Sequence, residues 1–250
     1  ENTNIKEVVG VIKFDQALTL HLLRIANSAA VASRTPISTI NDAVMRLGMG
    51  TILSLAISFN VKGQMKRAVP EYGLPEGELW RHSIAAAAAA EAANAFSKIA
   101  IPHAAFTAAL LHDIGKQLMA QFLNPEILGI IKSAQQSGVD PLTAESEVLR
   151  VHHGELGGLI AQHWMLPEPI VKGITNHQII LNGVDADPLC DIVYLSNIIA
   201  KLIGTGTGGA DIQASDYDSV RERMGISLEG FAQWRAKVAQ SVEEISRRYA

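Results

Sequence analysis

The run Ala108-Ala-Leu-Leu-His112-Asp113-Ile-Gly115-Lys116 decides how this chain is read. It is a small, apolar helical stretch that ends by setting an imidazole and a carboxylate side by side. Successive residues on a helix are about 100° apart, so His112 and Asp113 are expected to share one flank. Ala105, Ala108 and Ala109 line that flank, while Leu110, Leu111, Ile114 and Leu118 mark the opposite, apolar side. Lys116 follows one turn on, and Gly115 lets backbone approach closely. A neutral imidazole and an oxygen ligand in adjacent positions both suit a divalent metal. Taken alone, a His-Asp pair fits a plain helix end equally well, so its neighbours decide.

Those neighbours are spread along the chain. An alanine-rich helix over 80–96 places His82 on a face shared with Ala86, Ala89 and Ala93. Pro102 opens the helix that carries His112 and Asp113. A long helix from Thr143 to Trp164 is expected to hold His153 in the middle of its apolar face, among Leu149, Leu156, Ile160 and Trp164. His152 and His163 fall off that face and read as rim or solvated residues. Pro167 begins a helix that runs to an inward His177, and a helix starting near Pro188 turns Cys190, Val193, Asn197 and Ala200 inward.

Five helices thus each aim a polar residue or pair inward: His82, His112-Asp113, His153, His177 and Asn197. One inward histidine is ordinarily a hydrogen-bonded core residue. Four of them with an aspartate need many partners, because buried polar groups must be paired, and a metal supplies such partners. Mixed imidazole and carboxylate ligands suit iron, manganese or zinc rather than calcium.

The remaining stretches organise the fold. Residues 8–32 read as helix broken around Phe14-Asp15, and Thr39 with Asp42 marks a helix start. Gly48 and Gly50 interrupt, and 52–59 resumes an apolar pattern. A loop with Pro70, Gly73, Pro75 and Gly77 closes the N-terminal part. Pro125 and the polar run 135–140 bracket a short helix, and a last helix runs from about Ser227 nearly to Ala250. Gly204-Thr-Gly-Thr-Gly-Gly209 lacks the Gly-Lys-Ser/Thr ending of a phosphate loop and reads as a flexible linker. With no alternating-strand segment and no internal repeat, the expected class is all-α. One domain over 1–250 is expected, with an N-terminal helical lobe (1–70), a helical core (71–205) and a linker with a C-terminal helix (206–250).

Composition narrows the function classes. With 21 Lys and Arg against 25 Asp and Glu, the net charge of −4 argues against a nucleic-acid binder with a large basic surface. The single cysteine, Cys190, allows no intrachain disulfide and fits a reducing, cytoplasmic setting. No apolar run approaches the ~20 residues of a membrane span, and no signal peptide is visible. The start at Glu1 rather than Met implies an upstream piece, to be expected as a regulatory domain.

Leu-Leu-His112-Asp113-Ile-Gly-Lys116 resembles the HD motif of the HD-superfamily metal phosphohydrolases, including the HD-GYP phosphodiesterases. The whole chain more closely resembles the HDOD family, the HD-related output domains of bacterial signalling proteins. The likeness is carried by Asp15-Gln-Ala-Leu-Thr, Leu23-Arg-Ile-Ala-Asn-Ser28, Ile37-Ser-Thr-Ile-Asn-Asp-Ala-Val and Leu47-Gly48. It continues through Leu79-Trp-Arg-His82-Ser, the His112-Asp113 motif, His153-Gly-Glu-Leu-Gly157 and Trp164-Met-Leu-Pro167-Glu-Pro-Ile-Val. It spans roughly 9–205 and implies an HD-domain-like multi-helix bundle. By that resemblance His82, His112 and Asp113 stand at metal-ligand positions, His153 and His177 at those of a further metal, and Lys116 where a substrate phosphate is met. Two departures stand against hydrolysis. Asn197 replaces the last aspartate of catalytic relatives, and Gln178-Ile-Ile follows His177 without a second histidine or a Gly-Tyr-Pro segment.

Two function classes follow, with a purely structural bundle as a third. One is a signalling module with a degenerate metal site, joined to or associated with a sensor or receiver domain and acting on a downstream signalling protein. The other is a metal-dependent phosphohydrolase in which Asp113 ligates or accepts a proton and Lys116 offsets phosphate charge. The missing charge at Asn197 favours the first.

Overall fold

The computed structural model of the chain describes residues 9–10, 12–28, 31, 35–48, 68–206 and 212–249. The apolar run expected over 52–59 lies outside the described residues. Twelve α-helices are found among those described: α1 (Gln16–Ala26), α2 (Ile40–Leu47), α3 (Glu78–Ala92), α4 (Ala105–Leu111), α5 (Ile114–Phe122) and α6 (Pro125–Gln136). They continue as α7 (Pro141–Leu149), α8 (His153–His163), α9 (Glu168–Thr175), α10 (Pro188–Leu202), α11 (Asp218–Arg223) and α12 (Leu228–Tyr249). Among the described residues there is no β-sheet, only an isolated bridge between Val69 and Leu74. The all-α, HD-domain-like bundle with N-terminal helical elements is the observed architecture. No described helix is long and apolar enough to cross a membrane.

Local signals start the helices where the sequence places them. Asp15 breaks the N-terminal helical stretch and caps α1, its carboxylate accepting the Leu18 N–H at 2.9 Å. Thr39 caps α2 through the Asp42 N–H at 3.1 Å. Asp187 does the same for α10, ahead of a first-turn Pro188. Asn27, from the Leu-Arg-Ile-Ala-Asn-Ser segment, pairs its side-chain amide with the backbone of Ile37, donating at 2.8 Å and accepting at 2.8 Å. That clamp fixes α2 against α1. The N-terminal elements are then tied to the core, where Gln16 donates to the Leu110 carbonyl at 2.6 Å and Thr107 to the Ser38 carbonyl at 2.8 Å.

The alanine run of α3 is buried on every side from Ala85 to Ala90. Small side chains let α4, α10 and α12 approach it closely, which is why the helix is central despite burying few large groups. Trp234 of α12, fully buried, donates its indole N–H to the Ala89 carbonyl at 3.0 Å.

Three expectations are corrected. His112 and Asp113 do not lie on one helix flank: they form the turn between α4 and α5. The helix expected from 143 to 164 is two, α7 and α8, separated by Arg150 in a left-handed conformation (φ 61°). His153 is therefore the first residue of α8 rather than its middle. His152, expected at the rim, is buried and caps α8, accepting the backbone N–H groups of Gly154 and Glu155. The described part of the glycine-rich segment is held in place too: Gly206 donates to Glu78 at 2.8 Å, and Thr205 is buried.

Candidate metal centre

The bends just described are what bring the inward residues together. The α4–α5 turn delivers His112 and Asp113, α3 contributes His82, the first residue of α8 is His153, His177 follows the end of α9, and α10 supplies Asn197. Each of these six is at most 2% exposed. Gly115 permits the approach of α5 to α8, since a Cβ there would overlap the backbone carbonyl of His153. Asp113 stands at the N-cap position of α5 yet caps nothing. An N-cap aspartate ordinarily accepts a first-turn N–H; here the carboxylate is turned into the cluster.

Asp113 divides the cluster into two halves. Its Oδ2 lies 3.5 Å from His82 Nε2 and 3.4 Å from His112 Nε2, and the two Nε2 atoms are 3.1 Å apart. Asn197 Oδ1 adds a fourth atom, 3.1 Å from His82 Nε2. Oδ1 of Asp113 lies 3.4 Å from His153 Nε2 and 3.3 Å from His177 Nε2, which are 3.3 Å apart. Ligand atoms about 2.1 Å from one ion stand roughly 3.0–3.4 Å apart at octahedral to tetrahedral angles. Both halves have donor sets of that size, and each groups three potential ligands within 4.8 Å.

The proton inventory fits the same chemistry. His112 Nδ1–H donates to the Ala109 carbonyl and His177 Nδ1–H to the Ile174 carbonyl, both at 2.7 Å. His82 Nδ1 faces the Thr205 carbonyl at 3.2 Å, and His153 Nδ1 donates to Glu145 at 2.7 Å. These acceptors assign the proton of each neutral ring to Nδ1, so every Nε2 presents a lone pair to the centre. In the His82/His112 half, lone pairs facing lone pairs at such distances repel unless a cation lies among them. Asp113 Oδ1 is buried without a hydrogen-bond donor, an uncompensated cost that a cation removes. The residues therefore suit a divalent ion of the iron, manganese or zinc type.

Electrostatics agree. Burial pushes His82 well below the ordinary histidine value and His177 down to about 3, so both imidazoles stay neutral, as metal binding requires. Burial alone would raise Asp113, but the Lys116 ammonium beside it holds its carboxyl well below the usual range. Lys116 Nζ donates to Asp113 Oδ2 at 2.9 Å. Lys201, one turn beyond Asn197, is pushed down to about 8, first by burial and then by Lys116. The buried Cys190 thiol is raised to about 12, an unreactive core group.

Three contributors are not evident from the sequence. Glu145 is fully buried; it accepts from the His153 ring, from the His153 backbone N–H at 2.6 Å and from the Tyr72 hydroxyl at 2.8 Å. This carboxylate–imidazole pairing orients a histidine for a metal. Gln178 places its amide nitrogen 2.7 Å from His153 Nε2 and 3.0 Å from His177 Nε2. Thr205 holds His82. An acidic residue eight positions before His153 was the available signal for Glu145, but only burial gives it meaning. His163 is exposed on the outer side of α8, away from the centre.

The profile of the HDOD domain matches residues 1–180. An uncharacterized protein of Treponema pallidum (strain Nichols) is 23% identical over 203 residues, which cover 81% of this chain and 39% of that protein. The chain thus spans about two fifths of the length of that relative. Among solved structures, the MmoQ response regulator of Methylococcus capsulatus superposes with a TM-score of 0.70 at 21% identity, covering 94% of this chain and 90% of that one. A candidate phosphohydrolase of Shewanella amazonensis superposes with a TM-score of 0.60 at 27% identity, covering 100% of this chain and 89% of the other.

Proposed function

The chain belongs to the HDOD domain family, and on that premise we propose that it is a bacterial signal-transduction output module whose metal centre is structural or regulatory rather than hydrolytic. The observation that carries the reading is the fourth corner of the first half-site. There Asn197 presents a neutral amide oxygen 3.1 Å from His82 Nε2. The half-site consequently has one carboxylate, Asp113, for two imidazoles, and a hard metal held by so little negative charge is bound weakly and is easily lost.

In this reading His82, His112, Asp113, His153 and His177 are the metal-facing residues, and an ion bound there would supply Lewis acidity and positive charge. The chain's own residues orient and neutralise. Glu145 and the carbonyls of Ala109, Ile174 and Thr205 set the rings, and Lys116 balances Asp113. The 250 residues act as one unit with an N-terminal lobe, a core and a C-terminal helix. Support for that unit comes from the Trp234 indole bonded to the Ala89 carbonyl of α3. Its partners are a sensor or receiver domain, attached or associated, and a downstream signalling protein in the cytoplasm. The likeness to a response regulator and the greater length of the Treponema relative support this assignment.

The test is a hydrolysis assay on protein purified without chelator and supplied with manganese, iron, magnesium or zinc. Cyclic dinucleotides and nucleotides should show no turnover above buffer. Turnover that disappears in His112→Ala and Asp113→Ala would make the chain a metal-dependent phosphohydrolase, with Asp113 and Lys116 at the reacting phosphate.

A further inference from the structure

Building on the metal reading above, we infer that Gln178 closes the His153/His177 half of the cluster, so that the chain takes up a single divalent ion on the His82/His112/Asp113/Asn197 side. An imidazole Nε2 has one in-plane lone pair, which serves either a proton donor or a metal. In the closed half both lone pairs are already served. The Gln178 amide nitrogen lies 2.7 Å from His153 Nε2 and 3.0 Å from His177 Nε2. An amide nitrogen has two hydrogens, one for each ring. The flipped amide would set its oxygen against two lone pairs, so the hydrogen-bond network assigns the nitrogen to this position.

In the other half no amide bridges the two rings. His112 Nε2 faces His82 Nε2 at 3.1 Å and Asp113 Oδ2 at 3.4 Å, so its lone pair meets no donor, and the one amide present, Asn197, reaches His82 Nε2 alone at 3.1 Å. The nearby ammonium of Lys116 bonds the carboxylate rather than a ring. An ion entering the second half would gain Asp113 Oδ1, which has no donor, but would first have to strip two hydrogen bonds from Gln178. An ion entering the first half displaces at most the single Asn197–His82 contact. Gln178 is thus a residue that decides how many ions the centre holds, acting as a built-in substitute for the second.

Manganese(II) titration of the full chain, read by calorimetry and by the paramagnetic resonance of the bound ion, tests this without reference to activity. Wild type should take one equivalent with the hyperfine pattern of an isolated ion. Gln178→His should take two, with the broadened signal of a coupled pair, and Gln178→Ala should admit a weaker second ion; thermal melts establish that each variant is folded. His112→Ala should lose the wild-type equivalent, and His153→Ala should keep it. Two equivalents in wild type, or one equivalent in both folded Gln178 variants, would overturn the role of Gln178 and leave the metal centre standing. No uptake by wild type would overturn the metal reading itself, and this inference with it.

Discussion

Asn197 sets its side-chain oxygen 3.1 Å from His82 Nε2, closing a ring of acceptor atoms with His112 and Asp113. A neutral amide thus occupies a position where a carboxylate would contribute a full negative charge. Asn197→Asp should strengthen manganese or zinc binding about tenfold, because ligand charge sets affinity for a divalent ion. Competition with a fluorescent chelator measures it. Unchanged or weaker binding by the folded variant would show that Asn197 is not part of the ligand set.

Metal should stabilise the wild-type fold by mass action. At a hundredfold excess over Kd the gain is about 2.7 kcal/mol, or roughly 5–10 °C in melting temperature for a chain of this size. His112→Ala should abolish that shift while leaving a cooperative melt. A shift of equal size in the variant, or none in the wild type, would point to an all-protein hydrogen-bonded core.

Acid should destabilise the metal-free protein in a defined window. His82 and His177 are held neutral by burial, His177 down to about 3. Below the ordinary histidine value of ~6.5 the unfolded chain binds protons that these rings in the folded chain do not, so stability falls as pH drops. Each such histidine contributes up to about 1.4 kcal/mol per pH unit in that window. The depressed carboxyl of Asp113 adds stability above the ordinary aspartate range of ~3.9, and that contribution is lost at lower pH. Urea unfolding in chelator between about pH 7.5 and about pH 5 should show the slope, and His177→Gln should flatten it. An identical slope in the variant would mean that His177 is protonated in the folded state.

Close approach at Gly115 should be intolerant of any side chain. A Cβ there would overlap the His153 carbonyl, and Gly115→Ala should cost about 1–3 kcal/mol through displaced backbone. Gly129, inside α6 with nothing within 4 Å of an added Cβ, is the control. Gly129→Ala should stabilise by about 0.5–1 kcal/mol through helix propensity. Equal effects at the two sites would remove the claim that α5 and α8 meet through Gly115.

The C-terminal helix should be an integral part of the stability of the core. Trp234 is fully buried against α3, so Trp234→Ala should cost about 3–5 kcal/mol in urea unfolding. Trp234→Phe should cost less, about 1–3 kcal/mol, for the unpaired Ala89 contact and the smaller ring. Loss of α12 signals in a separate, earlier transition would show that it folds independently of the core.

The sequence by itself determined the helical class, the starts of α1, α2 and α10, and the identity of the inward histidines. Each of these is written in a few neighbouring residues: a capping oxygen at Asp15, Thr39 or Asp187, a proline in a first turn, an apolar period of about 3.6. The family likeness at His112-Asp113 was equally local. Only the tertiary structure decided that Asp113 faces two half-sites with different oxygens, that Arg150 breaks α7 from α8, and that Glu145, Tyr72, Thr205 and Gln178 belong to the centre. Arg150 carries no glycine-like signal for its left-handed turn. Gln178 could be read as a departure from a second histidine, yet its effect depends on which lone pairs meet its amide. Helix periodicity is set by contacts a turn apart, whereas donor and acceptor matching inside a core is set by residues far apart in sequence brought to within about 3 Å.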